Sequence, residues 1–185
     1  MEGEAPEPDE PVFARSLREF AEEELILVSR KLQYELRAGD ELVALLEDPL
    51  HKQDWSGYAS DGTWYLTLKG RRGWNLEAFD SESDLRVAVY KRSRLIAGGI
   101  IEVQPGAERY RLRRQRLLGR TWELKRDGFV LVVVRSAPSS HPRASLEVSS
   151  GARSHVELEL VLLLALSVII LEETVQDSNW GAGGA

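Results

Sequence analysis

The side chains best equipped for chemistry are arginines. Arg109, Arg111, Arg113, Arg114, Arg116 and Arg120 fall within twelve consecutive positions. Each guanidinium fork can hold two oxygens of a phosphate or carboxylate, so a row of them suits an anionic ligand such as a phospholipid headgroup. On a strand, Arg109, Arg111 and Arg113 project from one face and Tyr110, Leu112 and Arg114 from the other. The competing reading is a solvated outer face whose charge keeps a sheet edge from pairing with other chains. A second cationic stretch is Lys69-Gly70-Arg71-Arg72-Gly73. A glycine-flanked turn can aim successive amides at an anion, with Lys69, Arg71 and Arg72 beside it, although the same residues also make an ordinary hairpin. Only the strand order decides whether this turn lies beside the arginine strand.

Groups suited to covalent or acid–base work are sparse. The histidines are His51, His141 and His155. His155 sits inside Ser154-His155-Val156-Glu157, where a hydroxyl and a carboxylate three residues apart have the form of a capping box at a helix start. His51 with Asp54 offers two metal ligands in a polar loop, a weak basis for a site. Ser139-Ser140-His141-Pro142 reads as a turn, and neighbours in sequence do not make a catalytic triad. There is no glycine-rich phosphate loop, no zinc spacing and no glycine-flanked serine nucleophile. These residues predict a protein that is not an enzyme and uses no cofactor or metal. With no cysteine in the chain, disulfides are excluded, which fits a reducing cytoplasm.

Positioning such residues needs a core, and the composition supplies one. Of 185 residues, 43% are hydrophobic and 29% charged, the balance of one globular domain. The net charge of −6 hides an asymmetry. Residues 1–24 hold nine acids against Arg15 and Arg18, a local charge of −7; residues 91–126 hold eleven bases against three acids, a local charge of +8. Either these are solvated faces on opposite sides of the domain, or an acidic arm shields an anion-binding surface. Tyr110 and Trp122 among the bases resemble a nucleic-acid stacking surface in outline. Both occupy a repeated strand-opening position that core packing explains better, and the overall acidity argues against nucleic acid. The acidic first 24 residues also lack the basic and apolar parts of a secretory signal.

Residues 1–11, with Gly3, Pro6, Pro8 and Pro11, read as a flexible lead. Phe13, Leu17, Phe20 and Ala21 then predict a short amphipathic helix over 12–24, docked on the exterior of the domain. From residue 25 the period becomes two. Tyr34, Leu36 and Ala38 alternate with polar neighbours up to Gly39-Asp40, and Leu42–Leu46 follow. The unit recurs at Trp64-Tyr65-Leu66, Trp74-Asn75-Leu76, Tyr110-Arg111-Leu112 and Trp122-Glu123-Leu124, with turn residues every eight to twelve positions. That spacing predicts ten to twelve strands before residue 150, in a meander, sandwich or barrel. Gly98-Gly99 inside an apolar stretch predicts a bulge or a sharp bend.

The pattern then breaks at Leu160–Leu171, twelve apolar residues in a row. As a helix over 155–173 this segment spans about 28 Å. As a single strand it would reach about 60 Å, too long for this domain. A helix apolar on every side must be enclosed by protein or lipid. Twelve residues fall short of a bilayer span, and the flanks are acidic, so enclosure by protein and no transmembrane span are expected. Residues 174–185 read as a disordered tail.

Residues 25–173 resemble the tubby-like superfamily, in particular its LURP-one-related and bacterial scramblase-like branch. The resemblance rests on Tyr34-Glu35-Leu36, on the Trp74-Asn75-Leu76 and Trp122-Glu123-Leu124 repeats, and on the apolar Leu160–Leu171 segment. It implies a closed antiparallel barrel of about twelve strands around a central hydrophobic C-terminal helix. It further implies either phosphoinositide binding by barrel bases, as in tubby proteins, or membrane and calcium association, as in scramblase-like ones. The chain lacks the cysteine cluster and proline-rich arm of animal scramblases, and tubby's lipid-binding positions have no residue-by-residue match here. The functional expectation is therefore an anionic ligand on a basic strand of a cytoplasmic protein at the membrane periphery. The alternatives are a structural or protein-interaction module without lipid binding, and a membrane-associated scramblase-like protein.

Overall fold

The computed structural model of the protein describes residues 13, 15–20, 23–30, 33–47, 54–70, 75–93, 95–116, 119–137 and 143–181, without the side chains of 143 and 175–181. Alternating apolar and polar residues fold as twelve strands. They are β1 (Glu24–Arg30), β2 (Gln33–Ala38), β3 (Glu41–Glu47), β4 (Asp54–Ala59), β5 (Gly62–Lys69) and β6 (Asn75–Asp80), followed by β7 (Arg86–Arg92), β8 (Gly98–Val103), β9 (Glu108–Arg114), β10 (Thr121–Arg126), β11 (Phe129–Ser136) and β12 (Arg143–Val148). Each pairs antiparallel with the next, and β1 pairs with β12, so the sheet closes into a barrel without a free edge. Tight turns make this possible. Asp127 and Gly128 both take positive φ (49° and 86°), the two-residue turn whose twist matches the strands it joins.

The barrel encloses α1 (Leu158–Gly181). From Leu158 to Ile170 every side chain of α1 is buried, as its all-round apolar sequence requires. The helix approaches β3, β4, β6, β7 and β8 most closely, and small inward residues make room for it. Ala44, Gly57, Ala59, Ala78 and Ala88 lie there. A methyl group on Gly57 would sit 3.3 Å from Leu163 Cδ1. Larger side chains, including Tyr110, Leu112, Trp122 and Leu124, fill the interior along β9 and β10. No helix of the described residues is long and apolar enough to cross a membrane. The strands are apolar toward the inside and charged toward the outside, the inverse of a barrel that spans a bilayer.

Alternate connections turn at opposite ends of this barrel. We call the end where α1 begins proximal and the end where it emerges distal. Among the described residues, the proximal connections carry Asp40, Asp61, Glu82, Asp84, Asp127 and Glu157 against Arg153. The distal connections carry Arg116 and Arg120 and no acid.

Four expectations need correcting. Among the described residues of the predicted helix over 12–24 there is only a 3-10 turn, Leu17–Phe20, and β1 begins at Glu24. Leu17 and Phe20 are buried in the barrel core, so the segment plugs the proximal end and does not lie on the exterior. The capping box does not form: α1 starts at Leu158, and Ser154 closes a preceding 3-10 turn by donating to the Gly151 carbonyl at 3.1 Å. The helix continues to Gly181, through most of the segment read as a tail. Finally, of the two readings of Gly98-Gly99 the bulge falls, because β8 pairs in regular register on both sides, whereas residues 95–97 do bend ahead of Gly98 at φ +117°. Close backbone approach explains the pair: a Cβ on Gly98 would lie 2.1 Å from the Leu112 carbonyl oxygen, and one on Gly99 2.1 Å from that of Lys91.

Candidate anion-binding face

β9 presents its residues as alternation predicts. Arg109, Arg111 and Arg113 are exposed on the outer face, while Tyr110, Leu112 and Arg114 point inward. Arg114, only 6% exposed, lies over the Trp122 ring with 5.1 Å to the ring centroid and stands apart from the outer row. Arg116 lies past the end of β9 in a distal connection, exposed. Arg120 donates to the Ala137 carbonyl at 3.3 Å.

Strand register extends the row beyond β9. Lys69 pairs with Asn75, Asn75 with Lys91, Lys91 with Ile100, Ile100 with Arg111 and Arg111 with Lys125. Lys69, Lys91, Arg111 and Lys125 therefore share one outward row across six neighbouring strands, β5 to β10. Lys69 stands four strands from Arg111, about 19 Å along the sheet, so the two belong to a belt and not to one pocket. Arg71 and Arg72 lie outside the described residues, as do His51, His141 and Trp74. Lys91 and Lys125 escaped sequence reading because register, not spacing along the chain, brings them into line with Arg111.

Three acids thread the belt, and the first, Glu77, is taken by Arg86 at 3.0 Å. Glu102 pairs with Lys91 and, at 3.3 Å, with Arg109, and the hydrogen bond from Lys91 holds its carboxyl below the usual range. Glu123 takes Lys125 at 2.7 Å and Gln115 at 2.8 Å, and these bonds lower its pKa, with the charge of Arg113 adding to the effect. Arg111 makes no ion pair or side-chain hydrogen bond among the described residues, which leaves its fork available. The arrangement can hold anions at the surface. No three His, Asp or Glu side chains among the described residues are grouped to hold a metal.

A second polar cluster occupies the proximal mouth. The Tyr110 hydroxyl donates to Glu157 at 3.2 Å and accepts from Arg126 at 3.2 Å. Arg126 also pairs with Glu108 and contacts His155 Nδ1 at 2.8 Å. Arginine only donates, so Nδ1 is the acceptor in this contact. Burial, reinforced by the Glu157 charge, pushes the Tyr110 phenol up to about 12, so it stays protonated and serves as a fixed donor. Tyr110 and Trp122 are fully buried and offer no face on which a base could stack. Comparison with protein-family models, with curated proteins and with solved structures finds no match.

Proposed function

We infer that this chain is a non-enzymatic, tubby-like barrel that binds an anionic ligand, a phospholipid headgroup, through the outer face of β5–β10. A closed twelve-stranded barrel around a buried C-terminal helix supports the resemblance. The observation that carries the binding reading is the register row, in which Arg111 projects unpaired among the described residues with Lys91, Lys125 and Lys69 in line beside it. Arg109 and Arg113 flank it on the same strand. Each base near an anionic surface contributes about 1 kcal/mol, so several weak contacts suffice for salt-sensitive association.

A second reading, a solvated or protein-interaction face, draws its support from Glu102 and Glu123, which already neutralise part of the row. Co-sedimentation separates the two. The probes are phosphatidylcholine vesicles with and without phosphatidylserine, at low and moderate salt, with wild type beside Arg111→Glu/Arg113→Glu. Headgroup binding predicts that wild type pellets only with the anionic vesicles and is released by salt. The double variant should bind at least about tenfold more weakly at an unchanged melting temperature, since both side chains are exposed. Wild type remaining in the supernatant throughout would overturn the reading in favour of the solvated face.

A further inference from the structure

We propose that Leu95 and Ile96, between β7 and β8, form a membrane-inserting tip: they enter the interface of an anionic bilayer while Arg113 and Arg116 meet its headgroups. The proposal rests on the headgroup reading and adds to it an orientation and an insertion element. Leu95 is 94% exposed and Ile96 44%, two adjacent large aliphatic side chains facing water at the point of a hairpin. Exposed apolar residues are ordinary when scattered singly, so exposure alone carries nothing.

Two further features distinguish this pair. The first is backbone satisfaction. Ser93 Oγ accepts from the amides of Leu95 at 3.3 Å and Ile96 at 3.4 Å. Ser93 N donates to the Gly98 carbonyl at 2.8 Å, and Arg114 N to the Ala97 carbonyl at 3.2 Å. An amide with a partner costs little to remove from water, whereas an unpaired one costs several kcal/mol in hydrocarbon. The tip therefore presents two aliphatic side chains whose own amides already have partners.

The second is charge. The tip stands at the distal end, where Arg113 and Arg116 are exposed and the described connections contain no acid. Phe129, Leu85 and Val156 are also strongly exposed, but at the proximal end beside Asp127, Asp84 and Glu157. An anionic surface repels the acids beside those three and attracts the bases beside the first pair. Residues 15–20 and Glu23 of the acidic N-terminal segment also sit at the proximal end, where they do not shield the tip.

The chain has no cysteine, so a single introduced thiol can be labelled without background. Leu95→Cys and Phe129→Cys, each carrying an environment-sensitive nitrobenzoxadiazole dye, are mixed with the phosphatidylserine-containing vesicles. At Leu95 the emission should shift to the blue and be quenched by nitroxide-labelled lipid; at Phe129 it should do neither. Leu95→Ser/Ile96→Ser, unlabelled, should reduce vesicle partitioning about tenfold at an unchanged melting temperature, because neither side chain packs in the core. A dye at Leu95 that stays in water while the protein still pellets overturns insertion and leaves headgroup binding standing, as does an unchanged partitioning of the double serine variant. A shift at Phe129 overturns the orientation. Failure of wild type to pellet at all removes both readings.

Discussion

The two ends of the barrel use charge in different ways. At the proximal end, charged groups turn inward and fasten separate parts of the chain to each other. Glu159, 2% exposed in the first turn of α1, accepts from Ser16 Oγ (2.8 Å), Leu17 N (2.7 Å), Ser60 Oγ (2.9 Å) and Asp61 N (2.8 Å). One carboxylate thus ties the N-terminal segment and the β4–β5 turn to the helix, and its charge also complements the helix dipole. At the distal end some charge is likewise held, as in the Arg92–Glu172 pair at 2.8 Å and Arg114 over Trp122. Arg113, Arg116 and Lys69, by contrast, face water there. Charge buried with matched partners specifies a fold, whereas charge left exposed in rows remains available to a ligand.

The sharpest way to break this comparison is to remove the proximal tie. Glu159→Ala deletes four hydrogen bonds and strands the amides of Leu17 and Asp61. Hydrogen bonds to a charged acceptor contribute roughly 1.5–3 kcal/mol each; water recovers part of this at the three part-buried donors, so a loss of at least about 4 kcal/mol is expected in urea denaturation. A loss below about 1 kcal/mol would mean that the plug formed by Leu17 and Phe20 holds without it.

A smaller effect tests the distal end. Gly98 takes φ +117°, and its missing side chain leaves space occupied by the Leu112 carbonyl. Gly98→Ala should cost about 3 kcal/mol, because neither the backbone conformation nor the contact tolerates a Cβ. The distal loop would then be shown to stand on a rigid root. A neutral result in the same denaturation assay would make the tip a pliant element and weaken the case for a preformed insertion loop.

Much of this was legible in the sequence wherever a periodic signal was local. The period-2 strands, the closing turns, the enclosed helix and the two faces of β9 all follow from neighbours within a few residues of each other. Features made by partners far apart in the chain were not legible. Leu17 and Phe20, three apart, fit an amphipathic helix as well as a buried 3-10 turn, and the deciding partner, Glu159, lies 142 residues beyond Leu17. Glu157 resembled a capping residue because its spacing from Ser154 matched, yet its carboxylate accepts from Tyr110, 47 residues earlier. The Leu95-Ile96 pair was absorbed into an apolar stretch running on to Gly98-Gly99. The signal that it was a tip is Ser93 before it and a glycine pair behind it, closing the loop. The charge asymmetry was visible, but only the alternation of hairpins assigns acid to one end and base to the other.

The smallest predicted effect concerns whether the proximal acids are all structural assets. Asp61 donates its amide to Glu159 while its own carboxylate stands near the same charge. Burial first, and then the Glu159 charge, push the Asp61 carboxyl above its ordinary value, and Arg18 at 3.3 Å offsets only part of this. A carboxyl whose folded pKa exceeds its unfolded one favours folding below the unfolded value, near 3.8, and that contribution is lost as pH rises through the folded pKa. At neutral pH the ionised Asp61 is therefore a net cost to the fold. Asp61→Asn keeps the backbone donor to Glu159 and removes the charge, so it should stabilise the protein by under about 1 kcal/mol at neutral pH. The gain should vanish near pH 3, where wild-type Asp61 is protonated in both states. Urea denaturation of both proteins at the two pH values measures it. A variant less stable at neutral pH would mean that the Arg18 pair outweighs the repulsion, and that the proximal end holds its acids without conflict.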